Sequence, residues 1–352
     1  MTSAASRNEP RPTLAAVAAR AGVSSSTASL AFSGAGPVSD ATRERVLAAA
    51  ADLGYAGPDP RAQSLRRGRS GIVGVVIEDR LRDAFRDPVT VAMLDGVADA
   101  LGAAGFALLL LTDTGEGTPH LDQAPMDGVI LVGCSRELGG SVTALRRRGL
   151  PIVAIEAEPM PGVHPIDLDN RVATARVARH LHELGHRRVA LATLPLGNEP
   201  SGPLTAAAEE RSHAHTTLER IRGARDVFPD ATGVSAAGSS VDDGLVAGRA
   251  LLDAMPDATA VIAQSDLLAL GVIRAAEERG LRVPDDLSVV GFDGIRLEGA
   301  GAHQLTTLVQ PAVAKGRAAG SAVVGLLGDD HPEPTSFSSE LRIGTTTAAP
   351  RA

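Results

Sequence analysis

The sequence predicts an α/β protein made of a small all-α helix-turn-helix headpiece and a larger two-lobed core of parallel sheets flanked by helices. Three observations carry that expectation. Residues 11–56 hold successive short stretches with apolar residues at helical spacing, each preceded by a Thr or Ser suited to cap a helix. From Gly71 onward, short apolar runs alternate with helical patterns, the mark of a parallel sheet covered by helices. The charge divides at the same place. Of 34 basic and 42 acidic residues, residues 1–70 hold nine Arg against five acids, net +4, and the remainder carries net −12.

These numbers bound the function. At 352 residues the chain exceeds what one hydrophobic core serves, so more than one domain is expected. The overall charge of −8 argues against nucleic acid when taken alone, because DNA binding requires basic side chains to neutralise phosphates. The basic N-terminal module reverses that argument locally. Hydrophobic residues make up 44% of the chain but are mostly Ala, Val and Leu, with 2% aromatics and no Trp, so stacking platforms are scarce. The single Cys134 cannot form an intramolecular disulfide, and residues 1–10, read as a disordered leader, lack the apolar stretch of a secretory signal. A reducing, cytoplasmic setting is expected. Apolar runs such as 106–111 fall far short of the ~20 residues that span a bilayer, so no membrane role is expected.

In the headpiece, residues 11–56, Thr13 caps a helix whose positions Leu14, Val17, Ala18 and Ala21 share a face until Gly22 ends it. Ser24 caps the next, from Ser25 to about Phe32, and Ser39 caps a third that carries Val46, Ala49, Ala50 and Leu53 up to Gly54 and Tyr55. The second helix turns Ala28 and Phe32 inward and Ser25, Ser26, Ser29 and Leu30 outward. Such a face suits a major groove, with Ser24, Thr27, Ser39 and Thr42 at helix starts able to bind phosphate oxygens. Read by themselves, these hydroxyls are equally consistent with plain helix capping.

The run Thr13-Leu14-x-x-Val17-Ala18-x-x-Ala21-Gly22-Val23-Ser24-x-x-Thr27-Ala28-Ser29, with Val38-Ser39-x-x-Thr42-Arg43-x-x-Val46 and Leu53-Gly54-Tyr55, closely resembles the headpiece of the LacI/GalR (lactose-repressor) family. The resemblance implies that Ser25, Ser26 and Leu30 occupy base-reading positions and that Thr13, Ser29 and Tyr55 belong to the DNA-binding set. Leu30 is a departure: many members carry Arg or His there, whereas Leu30 offers only apolar contact, for instance to a thymine methyl.

Residues 57–70 form the expected hinge. Pro58 and Pro60 break the preceding helix, and 61–67 are long enough for roughly two turns that would be marginal alone. The resemblance implies folding on operator DNA, with Ala62 and Leu65 matching the small residue and minor-groove wedge, one residue longer near Gly57 than the commonest spacing. The residues alone leave open a flexible, basic tether.

In the core, 71–352, strands are expected at 72–77, 107–111, 128–132, 152–155, 188–192, 260–263 and 288–292. Helices are expected at 89–102, 139–148, 170–184, 216–228, 244–254, 267–279 and 313–327. Two such lobes create a cleft at the carboxyl ends of their strands, where open sheets bind ligands. No nucleophile elbow, P-loop, dinucleotide fingerprint or metal-spaced His/Cys set is present, so neither an enzyme nor a cofactor is implied. His180, His182 and His186 do not share a helix face, and Arg146 to Arg148 reads as a solvated helix end.

The motifs Asp127-Gly128-Val129-Ile130, His180-Leu181-x-x-Leu184-Gly185-His186-Arg187, Glu219-Arg220-x-x-Gly223, Asp266-Leu267-x-Ala269-Leu270-Gly271, Val290-Gly291-Phe292-Asp293 and Leu305-Thr306-Thr307 resemble the core of the same family, which is related to periplasmic sugar-binding proteins. The resemblance implies that Arg220 and Asp266 bind the effector, gripping it from opposite cleft walls. Asp87-Pro88-Val89 replaces the usual Asn-Pro-Phe, with Phe85 as the substitute aromatic, and 195–214 is an insertion read as a lid or loop. The resulting expectation is a homodimeric repressor on pseudo-palindromic double-stranded operator DNA, controlled by a small molecule with a sugar as default. The rivals are a cytoplasmic small-solute-binding protein without regulatory output, and an α/β enzyme using Arg220 and Asp266.

Overall fold

The computed structural model describes residues 12–34, 36–57, 68–77, 84–112, 119–133, 139–197, 200–295 and 303–351. The leader expected at 1–10 and the hinge residues Ala62 and Leu65 lie outside the described residues. The chain divides into two compact units, Met1–Ser70 and Gly71–Ala352.

The headpiece contains α1 (Leu14–Ala21), α2 (Ser25–Ser33) and α3 (Asp40–Asp52). Each begins where a hydroxyl accepts an otherwise orphaned amide: Thr13 from Ala16, Ser24 from Thr27 and Ser39 from Thr42. Gly22, at φ 66°, supplies the left-handed residue that ends α1 and starts the turn into α2. Val17, Ala28 and Val46 are fully buried at the centre, with Ala18, Ala31, Ala49 and Ala50 around them. Small alanines let these short helices approach closely, and Phe32 and Tyr55 close one side edge to face, 5.5 Å apart.

The body begins with β1 (Ile72–Ile77), α4 (Pro88–Ala103), β2 (Ala107–Thr112), α5 (Pro119–Gln123), β3 (Gly128–Val132), α6 (Gly139–Arg147), β4 (Ile152–Ile155) and β5 (His164–Leu168). It continues with α7 (Asn170–Glu183), β6 (Val189–Thr193), β7 (Gly202–Pro203), α8 (Ala206–Arg211), α9 (His215–Arg225), β8 (Thr232–Ser235), α10 (Val241–Ala254) and β9 (Ala260–Ala263). The chain closes with α11 (Asp266–Glu278), β10 (Ser288–Asp293), β11 (Thr306–Val309), α12 (Ala312–Leu327), β12 (Thr335–Phe337) and β13 (Glu340–Arg342).

The first sheet runs β12-β5-β4-β3-β1-β2, every pair parallel. The second runs β13-β11-β10-β9-β6-β8-β7, with only the edge strands β13 and β7 antiparallel. Central strands are buried on both faces, which is why they read as unbroken Val, Ile, Leu and Ala. The strands not expected from sequence, β5, β7, β8 and β11 to β13, are short or carry polar residues such as the threonines of β11. They are strands because a neighbouring strand offers them a ladder.

One sequence expectation is corrected here. The 195–214 segment, read as a lid or loop, contains β7, paired antiparallel to β8, and α8, capped by Thr205. Its own Leu204 is buried and Arg225 grips its Glu209 at 2.6 and 2.8 Å, so its described part extends the second sheet's edge. Arg146 to Arg148 are exposed at the end of α6, as expected, and Arg148 also donates to the carbonyls of Leu121 and Ala124 at 2.7 and 2.8 Å. Among the described residues no helix is long and apolar enough to cross a membrane.

Among the described residues the chain passes between the lobes at three places, after Leu168, Val309 and Phe337. Helix α12 thereby returns to the first lobe, against α4. A Cβ on Gly316 would lie 1.9 Å from the Met93 carbonyl, and one on Gly96 would lie 2.0 Å from that of Val313, so only glycine permits this approach. Gly316→Ala forces the two helices apart, an overpacking cost of about 1–3 kcal/mol. We expect calorimetry to show the body melting several degrees lower, with headpiece helicity unchanged; an unaltered melting temperature would show that the helices yield freely.

Candidate functional site

On the headpiece, the first turn of α2 presents Ser25 and Ser26, both exposed. The cap Ser24 also contacts the hydroxyls of Ser26 at 2.7 Å and Thr27 at 2.8 Å, so these three side chains stand in a fixed arrangement. Ser29 is half-buried, and Leu30, 37% exposed, is the long apolar side chain on an otherwise hydroxyl-bearing surface. It is buttressed from the α2–α3 turn: a Cβ at Gly36 would lie 3.2 Å from Leu30 Cδ2. Ser39 bonds Thr42 at 2.9 Å, and Arg45 reaches the Thr42 hydroxyl at 3.4 Å. Thr13 is occupied as a cap, and Tyr55 is partly committed to packing on Phe32.

In the body, Arg220 and Asp266 both belong to the second lobe, since α9 follows β6 and α11 follows β9 in one sheet. The expectation that they face each other from opposite walls is therefore corrected. Arg220 is buried, its guanidinium carbon 3.5 Å above the centre of the Phe292 ring. Its Nε donates to Asn170 Oδ1 at 2.8 Å and one terminal nitrogen donates to the Gln264 carbonyl at 2.5 Å. Asp266 is wholly buried, and its oxygens accept from Thr307 Oγ1 at 2.5 Å and the Ile295 amide at 2.9 Å. It holds the turn leaving β10 in place. From the first lobe, Asp87 caps α4 through Val89 N at 3.0 Å and the Thr90 hydroxyl at 2.8 Å while its charge acts on Arg220. Phe85 is 59% exposed, and no described contact joins it to Arg220.

Sequence reasoning missed the residues that join these groups. Asn170 Nδ2 donates to Glu156 Oε2 at 2.7 Å, Lys315 Nζ donates to both Glu156 Oε1 and Gln310 Oε1, and Gln310 Nε2 donates to Asp293 Oδ1 at 2.6 Å. The charge of Asp293 acts back on Arg220. Arg220, Asn170, Glu156, Lys315, Gln310 and Asp293 thus form a circuit in which each hydrogen bond matches a donor to an acceptor. Glu156 and Asp293 hold positive φ, 54° and 118°, a conformation that side chains adopt only where the surroundings impose it. One signal was available. Lys315 is the only lysine in the chain, and it stands on a helix of small apolar residues.

Burial pushes the Glu156 carboxyl up, but Lys315, Arg220 and the Asn170 hydrogen bond together hold it below the usual range. Asp293 goes the other way: burial, reinforced by the charges of Asp266 and Asp87, raises it well above normal despite Arg220. Burial pushes Asp266 up to about 7 against its hydrogen-bond donors. Among the described residues no group of three or more His, Cys, Asp or Glu could hold a metal. His186 instead bonds Thr259 at 2.9 Å and the Ala348 carbonyl at 2.9 Å, tying down the C-terminal segment.

Comparison with known proteins matches residues 13–57 to bacterial regulatory proteins of the lacI family and residues 178–347 to the periplasmic binding protein-like domain. The HTH-type transcriptional regulator IpsA of Corynebacterium glutamicum is 33% identical, over 97% of this chain and 99% of its own. A transcriptional regulator CelR–cellobiose complex is 28% identical over 96% of this chain and all of its own, with a TM-score of 0.65. The lac repressor dimer bound to operator and the anti-inducer ONPF shares the fold, with a TM-score of 0.77 and 22% identity over 97% of this chain and all of that one.

The Asp266 shift sets a sign for stability. A carboxyl raised from 3.8 to about 7 holds a proton in the folded state that the unfolded state releases, so its contribution to stability falls as pH rises from about 4 to 7. Asp266→Asn removes that dependence, whereas the depressed histidines, which act in the opposite sense, are common to both proteins. Urea unfolding at pH 5 and pH 8 is expected to give a more negative pH slope for the parent than for the variant. Equal slopes would refute the assignment.

Proposed function

This chain belongs to the lacI family of bacterial regulatory proteins, DNA-binding transcriptional regulators and not enzymes, and we propose that it is a repressor whose operator affinity is set by a small polar molecule held between the lobes. The observation that carries the ligand site is Arg220, a buried guanidinium seated on Phe292 at the carboxyl end of the second sheet, where open sheets take ligands. Its planar fork, with the charges of Asp293 and, from the first lobe, Asp87 acting on it, suits directional hydrogen bonds to several hydroxyls. The cellobiose held by the similar CelR supports a sugar-sized polyol. The chain acts in the cytoplasm, where its operator lies.

On the DNA side, α2 enters the major groove, with Ser25, Ser26 and Leu30 toward base edges, and Thr13, Ser24, Thr27, Ser29, Ser39, Thr42 and Tyr55 toward the backbone or in support. The 57–70 segment serves as the hinge, with Ala62 and Leu65 in the central minor groove, and two copies read an inverted repeat. No exposed residue of α2 carries an amide or guanidinium, so bidentate reading of guanine or adenine is absent from that surface. Leu30 selects for the one apolar group on major-groove edges, the thymine methyl.

Selection of bound fragments from random duplex DNA with the full chain is expected to recover an inverted repeat; recovery of none would sink the dimeric operator reading. Replacing thymine by deoxyuridine at the position under Leu30 should weaken binding about fourfold per half-site, the worth of one buried methyl-sized group. In Leu30→Ala that sensitivity should vanish. If every thymine tolerates the change in the parent protein, Leu30 reads no methyl.

A further inference from the structure

The circuit between the lobes coincides with the places where the chain passes from one to the other. Asn170 follows the first passage directly, and Gln310 stands in the second with Lys315 one turn beyond it. At the third, the Ser339 amide donates to Asp169 Oδ1 at 2.9 Å and the Asp169 amide donates to the Phe337 carbonyl at 3.0 Å. The members divide between the lobes. Glu156 and Lys315 belong to the first, Asn170, Arg220 and Asp293 to the second, and Gln310 to the connection. Any rotation of one lobe against the other must turn backbone dihedrals at these passages, and so must stretch or break the bonds that bridge them.

Lys315 is the member on which the circuit turns. It is 1% exposed, yet its ammonium joins Glu156 of its own lobe to Gln310 of the connection. Arginine supplies every other basic position in the chain, all 33 of them. An ammonium is a compact point charge whose donors can be redirected by rotation, whereas a guanidinium is a rigid planar fork. A buried cation can leave Glu156 only if another acceptor takes its place, so the circuit favours discrete arrangements over a continuum.

We propose that Lys315, through Glu156 and Gln310, is a latch that sets the angle between the lobes of the ligand-free protein and thereby its operator affinity. The proposal rests on the reading that the state of the cleft governs operator binding, and it places the mechanical element in the Glu156–Lys315–Gln310 bridge as a whole. These residues position the lobes and the Arg220 guanidinium; they need touch neither effector nor DNA. Coupling of this kind is reciprocal, so operator DNA must alter the opening of the latch by the same factor that opening alters operator affinity.

A single lysine makes the latch directly observable. Acetic anhydride at limiting concentration acetylates Lys315 only when the circuit opens, and peptide mass spectrometry separates that product from the modified N-terminus. With the full chain, a duplex recovered by selection should change the Lys315 acetylation rate fivefold or more relative to a scrambled duplex. A change within twofold overturns the latch. The second measurement uses Glu156→Gln combined with Lys315→Met, which removes both charges without stranding either one. This variant should keep the parent's circular dichroism while its operator Kd, with no ligand added, shifts tenfold or more; a folded variant within twofold of the parent Kd reduces the circuit to a structural role. A small molecule that shifts operator affinity while the acetylation rate stays constant would leave the effector reading standing and overturn the latch alone.

Discussion

Two cations and two carboxyls buried at one place are costly to desolvate, by several kcal/mol per ion even after relaxation, and this protein holds just such a set where its lobes are joined. Arg220, Lys315, Glu156 and Asp293 are tolerated because Asn170 and Gln310 stand between them, each amide accepting from a cation and donating to a carboxyl. Removing one partner leaves a neighbouring charge or amide short of a hydrogen bond that it makes in the intact circuit. The lobes meet where this arrangement can be completed. The positive φ of Glu156 and Asp293 is the backbone strain accepted to complete it.

The scaffold around that point is built for close approach. Gly96 and Gly316 let α4 and α12 touch backbone to backbone, and Gly244 and Gly271 do the same for α10 and α11. Helices brought this near hold their side chains within narrow limits, which lets Lys315 on α12 meet Glu156 beyond β4. The headpiece follows a different economy, in which alanines replace bulky core residues and every helix start is tied by a hydroxyl. Those hydroxyls serve as caps in the free chain, and Leu30 is left as the feature that distinguishes the α2 surface.

Several elements were legible in the sequence because their signals are local. Thr13, Ser24 and Ser39 mark helix starts by the chemistry of orphan amides, Gly22 marks a stop by its left-handed backbone, and β1, β3, β4 and β9 announce themselves by apolar runs. Arg220 and Asp266 were identifiable through their motif. Their placement on one lobe was not, because sheet order depends on which strands pair across sequence separations of up to about 170 residues, as β5 and β12 do.

What the sequence by itself determined is a basic helix-turn-helix headpiece and an acidic body of alternating strands and helices, with family motifs that single out candidate residues for DNA and ligand. Only the tertiary structure decided how those groups are joined. It assigned the 195–214 insertion to a sheet edge, because β8 offers an open ladder. It placed Asp266 in a structural turn, because Thr307 and Ile295 claim its oxygens. It brought Glu156 and Lys315, 159 residues apart, into one bond. Side-chain chemistry is written residue by residue, whereas the pairing of distant charges depends on three passages of the chain between two lobes, a property that no local pattern encodes.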